Sequence, residues 1–253
     1  MSLAIFAAME LRSLLPNLVT ACNALCGMLG ILSVFQNRFE WALLFFLLGI
    51  FCDFLDGALA RLLQVTSPLG LQLDSLADLI TSGVLPGVMV YQLLRSQSDA
   101  YWELLEPPFI EGGALTLSKA GVVGVFLTLG TAFRLAHFNV SKEQINYFKG
   151  LASPASALFF MGYPLLLSNP LLAPLYSLLS QTNILIFWTL FFVFLMNSPL
   201  RMFKIKYKST YDQIYMGILG LGSLVLFYFF GWASFSLCVV WYLLLCLVRN
   251  VPL

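Results

Sequence analysis

Charge is the property that this sequence has least of. Only 10% of its 253 residues are charged, whereas 60% are hydrophobic and 15% are aromatic. A soluble globular domain carries about 25% charged residues, because its surface must face water. This composition excludes an ordinary water-soluble fold and predicts a chain whose outer surface faces lipid. The formal net charge of +1 gives no reason to expect a nucleic-acid partner.

Cysteine and histidine offer few candidate catalytic or metal-binding side chains. The five cysteines form no C-x-x-C pair and all lie in apolar runs. We therefore interpret them as core or lipid-facing residues rather than as metal ligands or disulfide partners. His137 is the only histidine, and we interpret it as a polar residue at a helix end rather than as a catalyst.

Long apolar runs are what the sequence has in abundance. A spanning helix needs about 20 mostly apolar residues. The runs predict an all-α, polytopic membrane helix bundle, a single membrane domain over 1–253, with a short amphipathic helix on the interface at residues 3–12. The last two predicted spans meet at Gly231, so they are either a tight hairpin or one misjudged pair. The eight predicted spans are 15–35, 40–62, 71–94, 117–138, 151–168, 182–199, 212–230 and 232–249.

The basic residues predict the orientation of these spans. With the N-terminus inside, all but three of the 13 Lys and Arg residues lie at cytoplasmic ends, and the three are Arg38, Arg95 and Lys119. Basic loops resist translocation, so this asymmetry predicts that both termini are inside. The expected location is the inner, cytoplasmic membrane of the cell.

Four aspartates interrupt the apolar pattern near the junction of the second and third spans. Asp53 and Asp56 are three residues apart, and Asp74 and Asp78 are four apart, so each pair shares a helical face. The short break between the spans predicts antiparallel neighbours whose four carboxylates converge near the cytoplasmic surface. Converging carboxylates repel and are costly to desolvate, and Arg61 supplies only one positive charge.

Hard oxygen ligands at this density suit two Mg²⁺ or Mn²⁺ ions. A pair of such metals stabilises the attacking and leaving oxygens of an in-line displacement at phosphorus. Small residues lie beside the carboxylates, at Gly57, Ala60 and Gly70. They have two interpretations: space for a flat base or a diphosphate close to the backbone, or close packing between helices.

The motif Asp53-x-x-Asp56-Gly57-x-x-Ala60-Arg61, then eight residues, then Gly70-x-x-x-Asp74-x-x-x-Asp78 resembles the CDP-alcohol phosphotransferase family at every fixed position. The resemblance implies a six-helix core, here 14–199, between an interfacial helix at 1–13 and a C-terminal helix pair at 200–253. It implies that all four aspartates are metal ligands, and that Asp78 is also the catalytic base. Family members often form homodimers. The CDP-binding residues that the resemblance implies are Asn17, Thr20, Asp56, Gly57, Ala60, Arg61 and Gly70.

Three further stretches, 78–87, 134–139 and 149–154, resemble the membrane phosphatidylserine synthases of bacteria and archaea. This resemblance implies CDP-diacylglycerol and L-serine as substrates. Two positions depart from the pattern, because His137 stands where arginine is usual and Ala152 where proline is common. The candidate acceptor-binding residues are Ser82, Arg134, Asn139 and Lys149.

Arg134 has the guanidinium geometry to bind a carboxylate through two N–H groups. The alternative is that Arg134, Asn139 and Lys149 only anchor helix ends at lipid headgroups. Three other functions stay open at this point. One is the same chemistry with glycerol phosphate or an inositol-type acceptor. The others are an intramembrane prenyltransferase, which also uses aspartate pairs, and a cation transporter with a carboxylate site.

Overall fold

The computed structural model describes residues 3–65, 67–97, 100–104, 115–140, 148–202 and 210–250. Almost all of its secondary structure is helical. The contacts divide the chain into two compact units, Met1–Leu85 and Pro86–Leu253. The prediction of an all-α polytopic membrane fold is confirmed, and the division of the chain at residues 14 and 200 stays a prediction.

The first unit consists of three helices and a π-helical turn. They are α1 (Leu3–Phe35), α2 (Phe39–Leu62), α3 (Pro68–Leu79) and the π turn Ile80–Val84. The Ser67 side chain caps α3 by accepting a hydrogen bond from the Gly70 N–H, and Pro68 occupies the first helical turn, where its missing N–H costs nothing. Helix α1 packs on α2, on α3 and on the π turn, so it is the element that holds this unit together.

The N-terminal segment differs from its predicted form. Residues 3–13 are helical, as expected, but they continue into the first span as one helix rather than forming a separate one. Pro16 lies inside this helix without ending it. Proline inside a helix removes one backbone hydrogen bond because it has no N–H, but the helix continues on both sides of Pro16.

The second unit contains the remaining helices and two short antiparallel strand pairs, β1 with β2 and β3 with β4. Its strands are β1 (Tyr101–Leu104), β2 (Leu115–Ser118), β3 (Phe148–Lys149) and β4 (Arg201–Met202). Its helices are α4 (Leu85–Arg95, which begins one residue before the boundary), α5 (Val123–Val140), α6 (Ser153–Leu167), α7 (Tyr176–Leu179), α8 (Thr182–Asn197), α9 (Thr210–Phe230) and α10 (Ser234–Asn250), with 3₁₀ turns at Pro170–Leu175 and Gly231–Ala233.

Aromatic rings and small residues pack the centre of the second unit. Phe159 of α6 stacks on Phe192 of α8 with ring centroids 4.5 Å apart. On α6, the absence of a side chain at Gly162 lets α10 approach, because a Cβ there would lie 2.7 Å from Ser236 Oγ. That hydroxyl donates to the Phe159 carbonyl oxygen at 2.6 Å. Small residues at helix contacts are typical of membrane proteins, where close van der Waals packing replaces the hydrophobic effect.

The last two predicted spans form a tight hairpin. Helices α9 and α10 are joined by the 3₁₀ turn at Gly231, where φ is +54°. The Trp241 indole N–H of α10 reaches back to the Ile218 carbonyl oxygen of α9, at 3.4 Å. A Cβ at Gly222 would collide with the same indole, so the glycine permits the contact. Of the two possibilities that the sequence left open for these spans, the tight hairpin is therefore the one that the structure has.

Within the described residues, five helical segments are long and apolar enough to cross a membrane, or six if the bent pair Ser153–Leu167 and Pro170–Leu179 counts as one span. The pair is bent by 92°. Eight spans were predicted, and the described helices supply five or six segments that are long and apolar enough, with the α9–α10 hairpin lying within one of them. Helix α6 has 15 residues and α8 has 16, fewer than the about 20 residues that a helix needs to span a bilayer. The five segments are Leu14–Phe35, Phe39–Leu62, Pro68–Arg95, Val123–Val140 and Gln213–Val248.

Candidate active site

Three carboxylates of the first unit converge on one point. Asp53 and Asp56 come from the last turns of α2, and Asp74 comes from α3. Each offers one oxygen, and these three oxygens all lie within 4.8 Å of one another. Asp56 is buried, with 5% of its surface exposed, and the other two are half-buried. The chain therefore brings three of the four predicted metal ligands together.

The residues present fit a divalent cation. Carboxylate oxygens are the donors that Mg²⁺ and Mn²⁺ prefer, and three of them on two helices surround a common position. Their mutual repulsion in a half-buried environment is costly unless a cation offsets it. This aspartate group (Asp53, Asp56 and Asp74) is therefore a candidate metal centre.

A cavity of about 940 Å³ opens beside the aspartate group. This volume is at the upper end of the range for small-molecule sites, about 300–1,000 Å³. Its wall also has exposed apolar side chains, among them Phe54 and Leu71. The structure places all seven residues that were predicted to bind CDP in this wall, namely Asn17, Thr20, Asp56, Gly57, Ala60, Arg61 and Gly70.

The two glycines of the cavity wall differ in what they permit. A Cβ at Gly57 would meet only the Arg61 guanidinium, 3.7 Å from Nη1, so helix packing does not require a glycine there. A Cβ at Gly70 would lie 3.0 Å from Ser67 Oγ and 3.1 Å from Asn17 Oδ1. A methyl group at Gly70 would therefore be tight against the cap of α3 and against Asn17 of α1. Close packing accounts for the glycine at position 70, and the interpretation of Gly57 as space for a ligand stays a prediction.

Thr20 holds one of the carboxylates. Its hydroxyl oxygen lies 2.5 Å from Asp56 Oδ2 and 3.0 Å from the Pro16 carbonyl oxygen. The Thr20 side chain is 3% exposed, so the contact with Asp56 is sheltered from solvent. Sequence reasoning assigned Thr20 to the nucleotide, and the structure adds that its hydroxyl orients an aspartate.

Asp78 lies outside the aspartate group and has different partners. Its Oδ1 accepts a hydrogen bond from Asn23 Nδ2 at 3.2 Å. Asn23 Oδ1 in turn lies 2.7 Å from the Thr81 hydroxyl in the π turn. Sequence reasoning missed Asn23 and Thr81. One signal could have found Asn23, because it is a polar residue in an apolar run, three positions after Thr20 and so on the same helical face.

The four acceptor candidates are distributed between the two units. In the first unit, Ser82 is 1% exposed, and its hydroxyl has no hydrogen-bond partner among the residues that the structure describes. In the second unit, Arg134 Nη1 donates to Ser153 Oγ at 2.8 Å. Asn139 is exposed near the end of α5. The backbone of Lys149 lies in β3, but its side chain is outside the described part of the chain.

Two further residues were singled out from the sequence. His137 lies in the last turn of α5 and is exposed, in agreement with its interpretation as a polar residue at a helix end. Ala152 is the N-cap position of α6 and makes no side-chain cap. Its extended backbone, with φ −62° and ψ 137°, is a conformation that proline also adopts.

Residues 13–195 match the family model described as CDP-alcohol phosphatidyltransferase. This chain belongs to the CDP-alcohol phosphatidyltransferase family. The match covers both units and ends in α8, before the α9–α10 hairpin. It confirms the resemblance that the aspartate motif carries, and it removes the prenyltransferase and cation-transporter alternatives.

Several proteins with sequences similar to this chain are named CDP-diacylglycerol–serine O-phosphatidyltransferase. The relative from Bacillus subtilis is 35% identical over 140 residues, which cover 55% of this chain and 69% of the relative. The relative from Methanocaldococcus jannaschii is 30% identical over 170 residues, 66% of this chain and 70% of the relative. The relative from Saccharomyces cerevisiae is 30% identical over 160 residues, so this chain spans about half of that longer protein.

Proposed function

We propose that this protein transfers the phosphatidyl group of CDP-diacylglycerol to the hydroxyl of L-serine, giving phosphatidylserine and CMP. The observation that carries the proposal is the cavity, in which three converging carboxylates share a wall with all seven candidate CDP-binding residues. Serine as the acceptor rests on the names of the relatives and on the sequence stretches at 78–87, 134–139 and 149–154.

The cavity suits the donor lipid in both of its parts. Polar residues such as Asn17 and Arg61 line it, and a cytidine diphosphate needs hydrogen-bond donors and a cation of this kind. Exposed apolar side chains, including Phe54 and Leu71, lie in the same wall. They offer a surface to the acyl chains of a lipid that enters from the membrane.

Asp53, Asp56 and Asp74 would hold the divalent ions, with Asp78 as the predicted fourth ligand and Mg²⁺ or Mn²⁺ as the metal. When bound, two such ions would offset the negative charge of the diphosphate and stabilise the charge that develops on its oxygens. Thr20 contributes by fixing the orientation of the Asp56 carboxylate. Positioning and charge neutralisation supply most of the catalysis in such reactions.

Asp78 is the proposed general base. Its carboxylate accepts the proton of the serine hydroxyl, whose oxygen forms a bond to the β-phosphorus of the donor. The bond between that phosphorus and the bridging oxygen breaks, and CMP leaves with the electron pair. The exposed Arg61 guanidinium, in the cavity wall, is placed to neutralise charge on the departing nucleotide.

An assay of the purified protein in detergent tests the proposal. CDP-diacylglycerol is supplied with labelled L-serine, glycerol 3-phosphate or inositol, with and without Mn²⁺. We expect phosphatidylserine and CMP in equal amounts, with no turnover after chelation of the metal. A lipid product with a different alcohol and none with serine would replace the acceptor but keep the chemistry. Absence of any CMP release with all acceptors would overturn the proposal.

The cellular context is part of the same proposal. The distribution of basic residues favours an active site that faces the cytoplasm from the inner, cytoplasmic membrane, where CDP-diacylglycerol and L-serine are both accessible. We also expect a homodimer, on the basis of the family resemblance. Thiol labelling of single-cysteine variants near residue 65 and near residue 97, from each side of the membrane, tests the orientation; chemical crosslinking in membranes tests the dimer.

A further inference from the structure

We propose that Asn23 and Thr81 are positioning residues for the proposed base, Asp78. The inference rests on the proposed function, and it assigns a role to two residues outside the aspartate motif. Asn23 and Thr81 each have 0% of their surface exposed. They belong to α1 and to the π turn, so the contact joins two elements that are far apart in the sequence.

The three side chains form a continuous line of hydrogen bonds. The Thr81 hydroxyl lies 2.7 Å from Asn23 Oδ1 and 3.1 Å from the Asn23 carbonyl oxygen, so both acceptors for its proton belong to Asn23. Asn23 Nδ2 donates to Asp78 Oδ1 at 3.2 Å. The amide can have only this orientation, because the reverse would place its oxygen against a carboxylate oxygen. The Asp78 carboxylate therefore selects the orientation of the Asn23 amide, and the Thr81 hydroxyl hydrogen-bonds the other end of that amide.

Glycines on two helices enclose this line. A Cβ at Gly49 of α2 would lie 2.8 Å from Thr81 Cγ2 and 3.0 Å from Asn23 Oδ1. A Cβ at Gly27 of α1 would lie 2.8 Å from the Thr81 hydroxyl oxygen. The backbones of α1 and α2 therefore approach Asn23 and Thr81 closely, and this packing restricts both side chains.

The π turn places Thr81 in this position. It begins at Ile80, two residues after Asp78, and π turns within helices are frequent at functional sites. Thr81 follows Asp78 by three positions, so the two side chains lie on neighbouring parts of one helical face, and both contact Asn23 of α1.

The consequence for the reaction is an oriented carboxylate. With Oδ1 held by the Asn23 amide, the proton of the acceptor hydroxyl is expected at Oδ2. Misplacement of a reacting group by about 1 Å costs about a hundredfold in rate. Asn23 and Thr81 are absent from the wall of the nucleotide cavity, so their loss is expected to affect turnover rather than nucleotide binding.

The test compares isosteric and conservative variants of both residues in the purified enzyme. Asn23→Asp keeps the shape but replaces the donor by an acceptor, and Thr81→Val removes the hydroxyl while Thr81→Ser keeps it. We expect kcat to fall about tenfold to a hundredfold in Asn23→Asp and in Thr81→Val, and to recover in Thr81→Ser. CMP affinity is expected to stay at the wild-type value, while the melting temperature in detergent falls in Asn23→Asp, which buries a carboxylate beside Asp78, and in Thr81→Val, which leaves Asn23 Oδ1 without its hydroxyl partner. Cys22→Ala, an exposed neighbour on α1, is the control.

Combination with Asp78→Asn sharpens the result. If Asn23 acts through Asp78, Asn23→Asp has no further effect on the residual rate of Asp78→Asn. The proposal is overturned by a wild-type kcat in Asn23→Asp, or by equal kcat values in Thr81→Val and Thr81→Ser. It is also overturned if kcat, CMP affinity and melting temperature all fall together. Failure of serine as the acceptor is distinguishable, because the same series is then measured with the alcohol that the enzyme uses.

Discussion

The aspartate group and Asp78 lie in the same short motif, yet different partners hold them. Asp53, Asp56 and Asp74 have one oxygen each within 4.8 Å of one another, and a threonine hydroxyl orients Asp56. Asp78 is held instead by the Asn23 amide. A carboxylate that ligates a metal is typically oriented by an outer hydrogen bond, whereas a general base needs an oxygen that can reach the proton of the substrate. The motif therefore has two parts, the aspartate group and Asp78, with different structural partners.

Both partners come from α1, which carries none of the four aspartates. Thr20 and Asn23 are three residues apart and therefore share one face of that helix. Helix α1 is also the element that packs on α2, on α3 and on the π turn. One helix face thus sets the orientation of a candidate metal ligand and of the proposed base. The following predictions test whether the two parts separate, beginning with the largest effect.

Substitution within the aspartate group is expected to remove both metal binding and turnover. In Asp74→Asn, one of three converging carboxylates is lost, and the remaining two hold a divalent ion less tightly. We expect Mn²⁺ binding, measured by calorimetry or by electron paramagnetic resonance, to fall below detection together with activity. Retention of tight Mn²⁺ binding by Asp74→Asn would contradict the assignment of this group as the metal centre.

Substitution of Asp78 is expected to remove turnover while CMP binding persists. Asp78→Asn keeps the shape of the side chain but accepts no proton, and loss of a general base lowers rates by about 10²–10⁴-fold. CMP affinity is expected to persist, since Asp78 does not line the cavity. Near-normal activity in this variant would remove Asp78 from the role of base, and loss of CMP binding would join it to the nucleotide site.

Removal of the Thr20 hydroxyl is expected to weaken metal binding without abolishing it. Thr20→Val leaves Asp56 without its 2.5 Å partner, and loss of such an orienting contact typically costs 10–100-fold in metal affinity. Thr20→Ser is the matched control, because it keeps the hydroxyl. Equal Mn²⁺ affinities for the Val and Ser variants would show that the contact with Asp56 does not matter for the metal.

The smallest effects distinguish the two glycines of the cavity wall. In Gly57→Ala the added methyl group faces open space, so we expect a raised KM for CDP-diacylglycerol and an unchanged melting temperature. In Gly70→Ala the methyl group meets two oxygens at 3.0 and 3.1 Å, so we expect a lower melting temperature. The interpretation fails if Gly57→Ala is the variant that loses stability and Gly70→Ala keeps it.

The spans show where reasoning from sequence had its limit in the fold. The apolar runs correctly predicted helices in both units, because each run is long and predominantly apolar. They could not predict that α6 and α8 stop at 15 and 16 residues, or that the segment after α6 bends by 92°. Those ends depend on packing and on local turns such as the 3₁₀ turn Pro170–Leu175, which hydropathy does not register.

By itself, the sequence determined the class of this protein and its candidate chemistry. Scarcity of charge predicted a membrane fold, because a soluble surface needs charge. Carboxylates three and four residues apart on helices predicted a cation site, because their spacing is local and burying their charge is costly. The tertiary structure alone decided how the four aspartates divide, and that Asn23 and Thr81 hold the fourth. Those contacts join residues 36 to 58 positions apart, and only the packing of α1 against the later helices brings them together.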